Sequence, residues 1–136
     1  MLADTPFDDL THTIIRAAIE VHREVGPGLP EAPYARCLEV ELTNRGLRFV
    51  REQPVSMAYK GTPVAASYRV DLIVENLVVI EVKAVDVILP VHQAQVLTYM
   101  RLTGCPVGLI INFNVAKLTD GVKRLVNTRP RAPEMS

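Results

Sequence analysis

The chain has 136 residues, 49% of them hydrophobic and 22% charged, and these proportions are typical of one globular domain with its own core. Its 15 basic residues balance its 15 acidic ones, which removes the simplest argument for nucleic-acid binding, an excess of Lys and Arg. No apolar run approaches the roughly 20 residues that cross a bilayer, and no basic segment followed by an apolar one opens the chain, so we expect a cytoplasmic protein without a membrane segment.

Two amphipathic helices are predicted in the first third of the chain. Apolar residues recur at spacings of three and four over residues 10–25, which indicates a helix with one buried stripe. Gly26 supplies its C-terminal stop. A second repeat at i, i+4 and i+8, starting from Tyr34, predicts a helix over residues 33–45. Glu31 would then lie just outside this helix, in an extended loop.

The middle of the chain predicts strands. From residue 47 the apolar period changes to two, and β-branched and aromatic residues become frequent. We expect an antiparallel meander of three strands over residues 47–59, 64–74 and 77–85, with turns at Lys60-Gly61 and Glu75-Asn76. Pro54 would interrupt a ladder in mid-sheet, so the first strand is expected to be bent or at an edge.

The last third predicts a helix followed by a buried strand. Pro90 opens the helix, which ends near Gly104 and carries a broad apolar face formed by Val91, Ala94, Val96, Leu97 and Met100. The apolar run 107–113 suits a strand that pairs in parallel with residues 77–83. A short edge strand is expected at 122–126. The order ααβββαβ predicts a three-layer α/β fold, a mixed sheet between helices, in one domain over residues 1–128 with a flexible tail at 129–136.

Two acids and a lysine carry the chemistry that the sequence suggests. Glu81 and Lys83 are two positions apart and share one strand face, which alone is more typical of a surface ion pair. The residues before Glu81 are all apolar, however, and indicate a central strand where charges are costly unless paired or bound to a metal. Pairing about the Glu75-Asn76 turn places Asp71 opposite Glu81. Two carboxylates beside a lysine predict a Mg²⁺ site.

Other charged and reactive residues leave more than one interpretation open. Basic residues gather near Arg45, Arg48 and Arg51 and in a C-terminal group, Lys117, Lys123, Arg124, Arg129 and Arg131. These are either a local nucleic-acid patch or, more commonly, a solvated surface. Cys37 and Cys105 have no partner at ligand spacing, so we expect buried thiols and neither a zinc site nor a disulfide.

A family resemblance rests on several of these motifs. Asp71, the run Glu81-Val82-Lys83 and a following helix with Gln95-x-x-x-Tyr99 resemble the PD-(D/E)xK nuclease superfamily and its RecB-like branch. The segment 26–34, with Glu31 and Tyr34 in Gly-x-x-Glu-x-x-Tyr spacing, is similar to the GxxExxY proteins of that superfamily. The segments 92–95 and 108–114 are also similar to that family. The resemblance implies a restriction-endonuclease-like core.

The resemblance also implies an activity and roles for individual residues. It implies a metal-dependent nuclease that cleaves nucleic acid, DNA rather than RNA, with Mg²⁺ or Mn²⁺ and a water nucleophile. The implied metal ligands are Glu31, Asp71, Glu81 and the Val82 backbone carbonyl. Lys83 would position the water, Gln95 would hold that water or the nucleic-acid backbone, and Tyr99, His92 and Gln93 would contact the substrate. For Tyr34 a plain core role remains open, as does a capping role for His92.

Two other classes of function fit the same residues. The neutral charge also suits a non-catalytic nucleic-acid-binding or protein-interaction module that retains the nuclease core. A dimeric assembly factor is the third class, and a homodimer is compatible with every one of these readings.

Overall fold

The structure, a computed structural model, describes residues 7–65 and 69–127. Its helices are α1 (Asp8–Val25), α2 (Glu31–Asn44) and α3 (Pro90–Thr103), followed by a 3-10 turn at Leu118–Gly121. Its strands are β1 (Phe49–Pro54), β2 (Met57–Tyr59), β3 (Thr62–Val64), β4 (Arg69–Val74), β5 (Val78–Lys83), β6 (Val107–Asn112) and β7 (Val122–Val126). The predicted boundary at residue 128 and the tail at 129–136 lie outside the described residues.

A five-stranded mixed sheet forms the centre of the molecule. Its strand order is β1-β4-β5-β6-β7, and only β5 and β6 run parallel. The parallel pair extends from Val78 opposite Val107 to Lys83 opposite Asn112, as the helical connection through α3 predicts. The predicted edge strand at 122–126 is β7. The predicted α/β fold with a mixed sheet is confirmed.

Helices cover both faces of the sheet, so the fold has three layers. The α1 and α2 helices pack on one face, where the side chains of Val78, Ile80 and Val82 point. The α3 helix packs on the other face against Val79 and its neighbours. Because side chains alternate along a strand, Glu81 belongs to the α3 face. Within the described residues no helix has the length and apolar character to cross a bilayer.

The start of α2 differs from the prediction. The helix begins at Glu31 and not at residue 33, with Pro30 in an extended conformation (φ −65°, ψ 168°) as its N-cap. Pro33 therefore lies in the first turn, where its missing N–H leaves no intrahelical bond unmade. The prediction that Glu31 lies outside the helix is wrong.

The first predicted strand is shorter than expected and ends at Pro54. As predicted for a strand with this proline, β1 is an edge strand. The residues beyond it leave the sheet and form a separate antiparallel ribbon of β2 and β3. Lys60 and Gly61 make its tight turn, and both have positive φ angles, 49° and 80°.

The apolar face of α3 is narrower than predicted. Val96 and Met100 are buried, whereas Val91, Ala94 and Leu97 are exposed, so the prediction is wrong for those three. Gly108 of β6 explains how closely the helix approaches the sheet. A Cβ atom there would lie 2.7 Å from both the Met100 sulfur and a Val96 methyl group. Only the stripe that faces this glycine therefore packs against the sheet.

Candidate active site

The β4–β5 hairpin brings Asp71 and Glu81 together. Backbone pairing runs from Val74 opposite Val78 to Leu72 opposite Ile80, so the next step places Asp71 opposite Glu81. There the side chains form the cross-strand bonds. The Asp71 N–H donates to Glu81 Oε1 (3.2 Å), and the Val82 N–H donates to Asp71 Oδ2 (2.8 Å). Each carboxylate is thus held by the backbone of the opposite strand.

Burial makes this carboxylate pair electrostatically costly. Glu81 is 6% exposed, and burial, with the nearby Asp71 charge, raises its pKa to about 8. Burial also raises the pKa of Asp71, although the bond from the Val82 N–H and the charge of Lys83 partly offset this effect. Oxygen donors of this kind are those that hard divalent cations prefer, so the pair fits such an ion.

Two cationic side chains lie near the acids. The Lys83 ammonium, half-buried at the end of β5, lowers the pKa of both carboxyl groups. The Arg36 guanidinium, which reaches toward the site from α2, lowers the pKa of Asp71. Arg36 also pairs with Glu39 at 3.0 Å. No sequence pattern marks Arg36, because its charge acts on Asp71 only through the packing of α2 against the sheet.

Glu31 lies close to the pair without joining it. Its Oε2 faces the Ala84 N–H at 3.4 Å, and its charge raises the pKa of Asp71 and Glu81. The side chain is exposed at the start of α2. In the described part of the chain, no group of three or more His, Cys, Asp or Glu residues is arranged to hold a metal ion. The structure therefore joins Asp71 with Glu81, and leaves Glu31 beside them.

Tyr34 fixes the loop that leads to Glu31. Its hydroxyl donates to the Gly26 carbonyl (2.5 Å) and accepts from the Leu29 N–H (3.2 Å). Its ring is fully buried and stacked on Phe113, with centroids 4.5 Å apart. Gly28 has φ 108° in this loop, a conformation that favours glycine. Tyr34 is therefore a core residue whose hydroxyl also positions the approach to the site.

Asn112 holds the segment that follows Lys83. It is 2% exposed, and its amide bonds both polar groups of the Val85 backbone: Val85 N–H donates to Oδ1 (3.1 Å), and Nδ2 donates to the Val85 carbonyl (2.8 Å). Oδ1 also accepts from the Asn114 N–H at 3.2 Å. The sequence analysis gave Asn112 no role. A polar residue at the end of an otherwise apolar strand was the available signal.

The predicted residues of α3 have different environments. His92 caps the start of α3, because its Nδ1 accepts from the Leu89 N–H at 3.0 Å. Gln93 is half-buried and Gln95 is exposed on the same helix. Tyr99 is buried in the core cluster between α3 and the sheet. Substrate contacts by His92, Gln93 and Tyr99 and the role of Gln95 stay predictions.

Ion pairs involve the first basic cluster of the sequence and part of the second. Each arginine of the first cluster pairs with a carboxylate: Arg45 with Glu41, Arg48 with Glu75 (3.5 Å), and Arg51 with Glu39 (3.9 Å). In the second cluster Arg124 pairs with Asp8 at 2.8 Å, Lys117 and Lys123 are exposed without an ion pair among the described residues, and residues 129 and 131 lie outside those residues. The pairings of the first cluster favour a solvated surface over a nucleic-acid patch there. The thiol of Cys105 is buried as predicted, and that of Cys37 is half-buried.

Comparison with known proteins gives one match. A family model described as the PD-(D/E)XK nuclease superfamily matches residues 8–125, which include every element from α1 to most of β7. No curated protein and no solved structure matches the chain significantly.

Proposed function

Because the chain belongs to the PD-(D/E)XK nuclease superfamily, we propose that it is a metal-dependent nuclease acting on nucleic acid, with DNA as the preferred substrate. Membership in the superfamily indicates nuclease activity in general and a nucleic-acid substrate. Its members typically use divalent metal ions. For this chain we propose, in addition, that the activity depends on a metal ion, that DNA is the substrate and that the residues act as described below. The GxxExxY subfamily and the RecB-like branch are part of the same proposal.

The observation that carries the proposal is the pair of backbone hydrogen bonds that fixes the carboxylates of Asp71 and Glu81. Two backbone N–H groups hold the carboxylates side by side in the middle of a buried sheet. A structural role would not require two adjacent acids there, because an apolar pair would close the ladder without the cost of burying charge. A divalent cation held by these carboxylates would offset that cost, because its positive charge would neutralise the buried negative charge.

The ligands that we propose are oxygen atoms of Asp71 and Glu81 and the Val82 carbonyl, with Glu31 as a further ligand through bound water or a small movement. When bound, Mg²⁺ or Mn²⁺ supplies Lewis acidity, which lowers the pKa of a water molecule and neutralises charge on the phosphate. Glu31 is the weakest member of this set, because its carboxylate lies beside the Ala84 N–H instead of the acid pair.

Lys83 orients the attacking water in the proposed reaction. Its ammonium lies close enough to both carboxyl groups to stabilise their charged forms. From this position it donates hydrogen bonds to a water molecule or to a phosphate oxygen, and it stabilises the negative charge that develops during displacement. To Gln95, which is exposed on α3, we assign the role of holding the same water or the substrate backbone.

The test is cleavage of labelled single- and double-stranded DNA and RNA in Mg²⁺ or Mn²⁺. We expect the wild type to cut, and Glu81→Gln and Lys83→Ala each to reduce the rate by about 100-fold or more. Glu24→Gln is the matched control, since Glu24 is an exposed acid on α1 that pairs with Arg23 and not with the site residues. Its rate should equal that of the wild type.

Other results separate the rival functions. Wild type that binds nucleic acid without cutting it would indicate a binding module that retains the nuclease core. Cleavage that survives in both Glu81→Gln and Lys83→Ala would come from a contaminant or from another site. Either result would overturn the proposal.

A further inference from the structure

The ribbon of β2 and β3 is exposed along its whole length. All six of its strand residues are exposed, including Met57 (38%), Tyr59 (61%) and Val64 (42%). An isolated two-stranded ribbon is marginally stable in water, and exposed aromatic and aliphatic side chains add no stability to it. A partner that covers these side chains would therefore stabilise the ribbon.

The ribbon leaves the sheet at the end that carries the acids. It is inserted between the last residue of β1, Pro54, and the first residue of β4, Arg69, which are paired with each other. Asp71 is only two residues further along β4. Val55, at the root of the ribbon, is buried in the cluster beneath α3, on the same face of the sheet as Glu81. The ribbon therefore begins next to the site, and its root continues along the α3 face of the sheet, beside Leu102 and Thr103.

Charge in this part of the chain is segregated. Residues 53–70 contain Lys60 and Arg69 but no Asp or Glu, although the whole chain is neutral. Both basic side chains are exposed, and neither makes an ion pair within the described residues. The arginines near residues 45–51 are paired, as described above. The ribbon is thus a basic, acid-free arm beside an acidic site.

The tip of the ribbon combines an aromatic ring with a cation. Lys60 Nζ lies 5.5 Å from the centroid of the Tyr59 ring, which is the most exposed large side chain of the ribbon. An exposed ring stacks on a nucleobase of any sequence, and an adjacent ammonium contacts the backbone phosphates. Stacking of this kind needs a base that is not already stacked in a duplex.

Building on the proposed nuclease function, we propose that the β2–β3 ribbon is a substrate arm that binds an unpaired nucleic-acid strand beyond the phosphate being cut. Tyr59 stacks on a base, while Lys60 and Arg69 contact phosphates of the same strand. Because Tyr59 can stack only on a base that is not already stacked in a duplex, the proposed substrate class is single-stranded or frayed nucleic acid. It also explains how a neutral protein binds a polyanion, because the attraction is concentrated at one ribbon.

The experiment compares Tyr59→Ala and Lys60→Glu with the wild type and with Arg16→Glu. Arg16 is exposed on α1, on the face of the sheet opposite α3 and the root of the ribbon, and its reversal changes the net charge by the same amount as Lys60→Glu. The dissociation constant is measured by fluorescence anisotropy with a labelled single-stranded DNA of 20 nucleotides, using Ca²⁺ in place of Mg²⁺. Cleavage is measured with the same oligonucleotide and with bis(p-nitrophenyl) phosphate, which is too small to reach the ribbon.

We expect each ribbon variant to raise the dissociation constant and the KM for the oligonucleotide about tenfold. Lys60→Glu should also make binding less dependent on salt. The rate with bis(p-nitrophenyl) phosphate should be unchanged in both variants, and Arg16→Glu should match the wild type.

The remaining outcomes each decide the matter. Ribbon variants that bind and cut like the wild type would overturn the arm and leave the nuclease proposal standing. Equal losses with the small and long substrates would mean that the ribbon supports the fold, which also overturns the arm. A dimer by sedimentation that becomes a monomer in Tyr59→Ala would identify a self-association surface instead. Wild type that neither binds nor cuts would overturn both proposals.

Discussion

The two ends of the β4–β5 hairpin are built from the same strands and behave differently. Near the turn, Leu72 to Val74 pair with Val78 to Ile80 through the backbone alone, and all six side chains are apolar and buried. At the other end, the carboxylates of Asp71 and Glu81 take over the cross-strand hydrogen bonds. The end near the turn, here called the closed end, contributes stability. The end with Asp71 and Glu81, the open end, lowers stability in return for two fixed anionic groups. One residue of register separates the two.

Removing packing at the closed end should have the largest effect on stability. Leu72 is fully buried between the sheet and the α1–α2 layer, so Leu72→Ala should lower the free energy of unfolding by about 2–5 kcal/mol. Urea unfolding at one pH measures this change. The folded variant should keep the wild-type rate of cleavage, because the Leu72 side chain packs toward the α1–α2 layer, whereas Glu81 belongs to the α3 face. A stability loss below about 1 kcal/mol would mean that the closed end is not the stabilising one.

Asn112 tests how the open end is held. Asn112→Ala leaves the N–H and carbonyl of Val85 without their side-chain partners, which should cost about 1–3 kcal/mol of unfolding free energy. It should also slow cleavage, since Val85 is two residues after Lys83. The control is Asn44→Ala at the exposed end of α2, which should change neither quantity. A variant that loses stability but cuts at the wild-type rate would show that Asn112 holds the fold and not the site.

The same contrast explains what the sequence could predict. The hairpin from Asp71 to Glu81 is local: its two-residue turn, Glu75-Asn76, fixes the register of the two apolar runs, and the structure follows it. The parallel pairing of β5 with β6 also followed from local signals, a helix between two apolar runs. For these elements, nearest neighbours in the sequence supply most of the information.

The features that the sequence did not reveal depend on contacts between distant residues. Arg36 approaches Asp71 only because α2 packs across the sheet, and no pattern within α2 marks it. The close packing of α3 on the sheet depends on Gly108, a residue of the next strand. The ribbon was hidden inside two predicted strands, since its residues alternate like those of the sheet that it leaves. Glu31 entered α2 because Pro33 is tolerated in a first helical turn.

The pH dependence of stability gives the most specific test of the open end, with the smallest change per step of the measurement. Without metal, Glu81 has a pKa of about 8 in the folded chain, against an ordinary value of 4.5 that applies when the chain is unfolded. Between these values the folded protein binds a proton that the unfolded chain has lost. Stability is therefore highest below the lower value, falls as pH rises through this window, and levels off above about 8.

The expected slope is about 1 kcal/mol of unfolding free energy per pH unit, with less stability at higher pH. Urea unfolding in EDTA at several pH values from 5 to 9 measures it. Other groups also contribute to the pH dependence, so the informative quantity is the difference between the wild type and Glu81→Gln, which removes the ionisable group but retains an oxygen acceptor for the Asp71 N–H. The difference should vanish when the glutamate is protonated in both states, near pH 4, and grow steadily toward pH 8. A wild type whose stability changes with pH in parallel with Glu81→Gln would mean that the buried carboxylate ionises freely, and the electrostatic cost assigned to the open end would then be absent.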